Sequence, residues 1–311
     1  VLILIWMAAL ALFAFTSNYT VLLIGMALAL GSSTLLNTTM NLITPLLFAT
    51  APGFFVNFLF FTQEIGTSGS QYILGSHADG FAFWQHTNLV LLILGAVAFV
   101  LLLFCNVPEE AAASADAPAQ KGGYDWRIIV PYVLVFGFYF IAEHGVMNWM
   151  VAYGVDGLGL PQASAAKYLS VFFGGMMIGR LCLSPLVDKL GALKSLAAFG
   201  GVSSVLYLIG SLGGAVTMPV WAISGLSFSI LYPTLVMSIR LYFPAQQVSG
   251  AAGTILSIAS LADILFNVGF GKLVDMAGYA VSIRGLPLSV LAFFIVFMLF
   301  TKFCKPTQKL K

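Results

Sequence analysis

Three carboxylic acids stand inside long apolar stretches of this chain, each with amides or aromatic rings at helical spacing around it. Glu143 follows Tyr139 by one helical turn, precedes Met147 and Met150, and has Asn148 and Trp149 beside the same face. A carboxylate, amides and aromatic rings on one surface hydrogen-bond hydroxyl groups and stack on a small polar ring, as a sugar site does. Glu64, next to Gln63, comes nearly two turns after Asn57, and Asp263 forms an i, i+4 pair with Asn267. An acid held in hydrocarbon gains by being neutral, so Glu64, Glu143 and Asp263 are the candidate proton carriers. A second reading of Glu143 stays open here: a protonated acid bonded to a neighbouring helix, with Trp149 and Tyr153 in an interfacial aromatic belt.

The sequence sets up no catalytic site. A helical zinc protease needs His-Glu-x-x-His, whereas Glu143-His144 has the reverse order and no second His at helical spacing. Gly271-Lys272 has Phe266 where a phosphate loop needs its earlier glycine. Cys105, Cys182 and Cys304 are odd in number and lack ligand spacing, so neither a disulfide framework nor a metal site is expected. A scattered net charge of +2 gives nucleic acid no footing. The expectation is a protein that is not an enzyme and uses no cofactor.

The elements that position these groups follow from the medium. Of 311 residues, 60% are hydrophobic and 8% charged, with a mean hydropathy of +1.01, against roughly 25% charged in a soluble domain. Crossing about 30 Å of hydrocarbon takes roughly 20 helical residues. Ten stretches suffice: about 1–17, 20–48, 53–75, 85–105, 127–153, 165–187, 192–212, 216–239, 248–274 and 283–303. They are continuous rather than alternating, which excludes a β-barrel. Ten Lys and Arg residues, among them Lys121, Arg127, Lys194 and Arg240, fall on the side of both chain ends, against Lys167, Lys272 and Arg284 on the other. That excess marks both ends as cytoplasmic.

One sustained polar stretch, 106–126, is rich in Ala, Ser, Pro and Gly with Glu109, Glu110, Asp116, Lys121 and Asp125, and reads as a cytoplasmic linker. It divides residues 1–105, a four-helix remnant of an N-terminal bundle, from residues 127–311, a six-helix bundle with a short basic tail. Val1 opens inside an apolar run with no basic n-region or cleavage site, and so reads as a cut end rather than a signal peptide.

The six-helix part repeats itself. Leu186-Val187-Asp188 with Gly191 recurs 87 positions later as Leu273-Val274-Asp275 with Gly278, each copy at the end of a span. An odd number of crossings separates them, so the two three-helix units are inverted, an arrangement typical of transporters with a midplane substrate site. Ser184-Pro185-Leu186-Val187-Asp188-Lys189-Leu190-Gly191 resembles the loop signature of the major facilitator superfamily, with Ser184 in place of its leading glycine. The resemblance makes Asp188 and Lys189, with Arg180 nearby, a cytoplasmic latch for one state of the carrier; the alternative is a solvated loop pair contributing about 0–1 kcal/mol.

More of the chain resembles one branch, the fucose, galactose and glucose proton symporters. The likeness runs through Asn37-x-x-x-Asn41, Asn57 with Gly66, Tyr139-x-x-Ala142-Glu143 with Trp149 and Tyr153, Tyr168-Leu169 to Gly179-Arg180, Tyr232-Pro233-Thr234, and Gly250 through Asp275 to Gly278. It implies a fold of twelve helices, six plus six, of which this chain holds ten, the first two being absent. Together with the spacing around Glu143 and Asp263, it gives candidate substrate contacts at Asn37, Asn41, Asn57, Glu143, Asn148, Trp149, Tyr232 and Asn267, although Asn37 and Asn41 equally suit interhelical hydrogen bonds. That family carries a carboxylate where Asn37 stands here, so neither its proton site nor fucose as substrate is carried over.

The expectation is therefore an all-α, multi-pass carrier in the bacterial inner membrane that works as a monomer. It would move a small polar solute, a sugar, with H+ by alternating access. A carrier for another metabolite or drug, and a non-transporting solute sensor on the same fold, are the alternatives.

Overall fold

The computed structural model describes residues 1–48, 52–76, 80–104 and 123–306. Most of the expected linker, His77, and the side chains of Asn41, Pro45, Asn57 and Asp188 lie outside the described residues. Ten helical stretches follow one another: α1 Leu2–Phe15, α2 Tyr19–Leu47, α3 Pro52–Ser76, α4 Phe81–Leu103, α5 Trp126–Ala152, α6 Gln162–Leu190, α7 Ala192–Leu212, α8 Met218–Leu241, α9 Ala245–Ala277 and α10 Tyr279–Phe303. Eight of them are long and apolar enough to cross a membrane. The two that fall short do so for different reasons. At 14 residues α1 spans about 21 Å, less than the expected 1–17 would; α3 has 25 residues but carries Thr62, Gln63, Glu64, Thr67 and Ser68.

The described residues form two compact units, one within Val1–Phe60 and His77–Pro118, the other within Phe61–Ser76 and Ala119–Lys311. Residues 61–76 of α3 thus group with the six C-terminal helices. The sequence reading divides the chain at 105 instead, with all of α3 on the N-terminal side. Polar bonds account for the difference: the Ser68 hydroxyl and the Ser170 carbonyl lie 2.9 Å apart, as do the Ser170 hydroxyl and the Ser68 carbonyl.

In the first unit, Asn18 caps α2 by accepting from the backbone N–H of Thr20 and Val21. Small residues let α1 approach its neighbours: a Cβ on Gly95 would lie 3.0 Å from the Trp6 ring, and one on Gly25 would strike Phe13 at 2.7 Å. Phe13 in turn packs against Trp84.

In the second unit, α5 buries a face of large rings at helical spacing, Tyr132, Phe136, Tyr139 and Phe140, continued by Val146 and Met150. Phe228, Tyr232 and Phe293 close around Tyr139. After Ala152 the helix widens into a π-turn, Tyr153–Gly157. Tyr153 is buried there against Trp221, so the belt position that remained open for it is not the one it occupies.

Helix α8 is broken into short pieces, Met218–Ile223, Gly225–Phe228 and Leu231–Ser238. Its serines supply the reason: Ser224, Ser227, Ser229 and Ser238 each donate to a carbonyl three residues back, and Pro233 offers no N–H to continue the ladder. The break is also where α6 comes closest. A Cβ on Gly225 would lie 2.0 Å from the Phe172 carbonyl oxygen, and one on Gly179 would lie 2.2 Å from the Ser229 hydroxyl. Glycine spacing in α6 thus serves packing, whereas around Gly269 there is open space. Outward surfaces of the unit are apolar, as at Val171, Ile178, Val205, Ile264 and Leu265, which suits lipid and not water.

Candidate functional site

The chemistry-bearing residues of the second unit gather in two places on the inner faces of α3, α5, α6, α8 and α9. In the first, α5 meets α9. His144 and Asp263, each near the middle of its span, approach to 2.5 Å between Nδ1 and Oδ2. The other carboxylate oxygen accepts from Asn267 Nδ2 at 2.9 Å. Asn267 uses its amide oxygen as well: it accepts from Asn148 Nδ2 at 3.1 Å and from the Trp149 indole N–H at 3.0 Å. Two i, i+4 pairs, His144 with Asn148 and Asp263 with Asn267, therefore face each other as rungs of one polar ladder. Ring packing holds its edges: Phe140 stacks on the imidazole with planes 9° apart, and Trp149 leans on Phe270.

The second place is deeper. Arg180 Nη1 donates to Glu64 Oε1 at 2.6 Å, and Arg180 Nε donates to the Ser229 carbonyl at 3.4 Å. Both charges are buried, at 5% exposure for Glu64 and 7% for Arg180. Glu64 Oε2 and the Tyr139 hydroxyl are buried with no hydrogen-bond partner among the described residues. Glu143, half-buried one turn after Tyr139 on α5, is near enough to act electrostatically on Glu64, Tyr139, Tyr232 and His144. Tyr232 stacks on Tyr139 with centroids 6.2 Å apart.

The sequence-expected residues are thus distributed as follows. Asn148, Trp149, Asp263 and Asn267 come together, and Glu64 is half of the deeper pair, with Glu143 and Tyr232 near it. Asn37 is half-buried in α2, in the first unit. The side chains of Asn41, Asn57 and Asp188 lie outside the described residues, and Lys189 is exposed. Arg180, grouped by sequence with Asp188 and Lys189, is drawn to Glu64 because a guanidinium at membrane depth requires a counter-charge. Sequence reasoning passed over His144, weighing it only as half of a protease motif. Its signal was the spacing to Asn148, the same as that of Asp263 to Asn267.

A bundle of long apolar helices in two units, with polar ladders inside one of them, is the build of a multi-pass membrane carrier. Residues 1–266 match the family model of the Major Facilitator Superfamily, and the chain belongs to that family. Among curated relatives, a putative glucose/galactose transporter of Helicobacter pylori is 25% identical over 220 residues, 70% of this chain and 53% of that protein. A glucose/galactose transporter of Brucella abortus is 28% identical over 190 residues, 59% of this chain and 44% of that protein. The chain spans about half the length of these relatives. Among solved structures, the transporter FucP in its outward conformation aligns over 96% of this chain and 81% of its own, with a TM-score of 0.67 and 19% identity. A peptide transporter aligns over 97% of this chain and 78% of its own, with a TM-score of 0.64 and 14% identity. A structure named as a peptide transporter thus matches this chain about as well as FucP does, so the fold alone does not select a solute.

Proposed function

We propose that this chain is part of a secondary active transporter that moves a small hydroxylated solute, a sugar, together with H+ by alternating access. The observation that carries the reading is the Asn148, Trp149 and Asn267 cluster: two amides and an indole edge, partly accessible, held at membrane depth beside an acid. Amides pair with sugar hydroxyls as donor and acceptor, and the indole supplies an apolar face for the ring. The names of the curated relatives support the same solute class. Glu64, Glu143 and Asp263 remain the acids available for proton coupling. Asp188 with Lys189 would act at the cytoplasmic end of α6 as the latch, both chain ends facing the cytoplasm of a bacterial inner membrane, with one copy sufficient for transport.

Counterflow tests it. Full-length protein in proteoliposomes preloaded with D-galactose or D-glucose is expected to draw in labelled sugar transiently, and to concentrate it when an inward proton gradient is imposed. Binding of sugar without counterflow would turn the reading into a sensor. Absence of both binding and counterflow, for these sugars and for L-fucose, would end the sugar reading.

A further inference from the structure

We propose that His144 is the residue that takes up and releases the coupled proton, and that Asn267 transmits its charge state to the solute cluster. The inference deepens the sugar and proton reading above and rests on it. Its basis is how the donors and acceptors of the ladder are used. Both oxygens of Asp263 already accept, one from His144 and one from Asn267, and the residue is 5% exposed. A proton arriving at Asp263 would have to displace one of those bonds. His144 is built differently: Nδ1 is engaged, Nε2 has no hydrogen-bond partner among the described residues, and the side chain is 34% exposed.

The exchange is a simple one. Nε2 binds H+ and the neutral imidazole becomes imidazolium, with the Asp263 carboxylate as its counter-charge; on release Nε2 returns the same proton and Nδ1 keeps its own. The charged groups around the ring are Asp263 from α9 and Glu143 from its own helix, with Glu64 and Arg180 beyond Glu143. Phe140 covers one face of the imidazole.

Asn267 links this event to the solute. One amide group spans the two functions, its nitrogen on Asp263 and its oxygen on Asn148 and Trp149. When His144 gains charge it draws the carboxylate, and the amide must follow or lose its bond. Solute hydroxyls that compete for the Asn267 oxygen act back on the same amide. Linkage is reciprocal, so the proton must then bind more tightly or more weakly when the solute is present.

The test uses purified full-length protein with D-galactose as probe. Affinity read from thermal shift between pH 5 and 8 is expected to vary about fivefold or more in the natural protein and to be flat in His144→Gln, which still binds the sugar. A His144→Gln profile that keeps the natural slope overturns the proposal. Asp263→Asn serves if His144→Gln does not fold, and an unmoved profile there overturns it equally. If the natural protein binds no D-galactose, the sugar reading fails, and pH-difference infrared spectra decide the proton part. An imidazole band coupled to an amide band, the first lost in His144→Gln and the second in Asn267→Ala, supports it. No imidazole band in the natural protein overturns it.

Discussion

Gly191 and Gly278, 87 positions apart in the chain, end their helices in the same backbone state. Their φ and ψ are 80° and 156° in the first and 75° and 166° in the second, and each N–H donates at 2.8 Å to a valine carbonyl, Val187 or Val274. Only glycine occupies that region without strain. Alanine at either position is expected to lower stability by about 1–3 kcal/mol, and by the same amount at both. Thermal unfolding of the two variants checks it; a cost confined to one site would mean that the repeat is not structural.

Trp149 gives a second outcome. Phenylalanine there keeps a ring over Phe270 but removes the N–H that Asn267 accepts. A single hydrogen bond contributes about 0.5–1.5 kcal/mol, so Trp149→Phe should weaken D-galactose binding roughly two- to tenfold. Trp149→Ala, which loses the stacking surface too, should weaken it further, and equal affinities in the two variants would remove the ring from the site.

The Glu64 and Arg180 pair makes a stability prediction. Taking away one partner of a buried ion pair costs about 3–5 kcal/mol, whereas replacing both by apolar groups of similar size is near neutral. Glu64→Ala and Arg180→Met should each lower the melting temperature strongly, and Glu64→Leu with Arg180→Met should recover most of it. Three equally destabilised proteins would show that the pair is not acting as a unit.

Packing at the α6 and α8 crossing is tested by glycine. Gly225→Ala would drive a methyl group into the Phe172 carbonyl, whereas Gly269→Ala meets nothing within 4 Å. The first should be poorly folded. The second should be neutral, or more stable by about 0.5–1 kcal/mol through helix propensity.

The fold was legible because hydrocarbon leaves few options: continuous apolar runs of sufficient length have to be helices. The repeat was legible because its two copies end in glycines that the backbone requires. What escaped was pairing across helices. Nothing in the spacing along α6 shows that Arg180 meets Glu64 from α3, since the partner lies 116 positions away. His144 was hidden for a similar reason: its meaning comes from Asp263, and an isolated histidine beside a glutamate carries little information. The grouping of residues 61–76 was invisible because Glu64 and Ser68 bind Arg180 and Ser170 of α6 through bonds that composition does not record.

Proton coupling separates the three acids. Glu64 already neutralises Arg180, so an amide there removes a counter-charge from the fold rather than a proton from the cycle. Asp263 is the counter-charge of His144, and its amide removes the charge that the imidazolium needs. Asp263→Asn is therefore expected to abolish accumulation of sugar against its gradient while leaving counterflow intact. Glu64→Gln should lower stability yet leave the surviving protein able to accumulate. Glu143, whose charge reaches both places, should fall between, with a displaced pH profile rather than a lost one. Uptake in proteoliposomes under an imposed proton gradient, measured beside counterflow in the same preparation, reads all three. Accumulation that persists in Asp263→Asn would return the proton to Glu64 or Glu143.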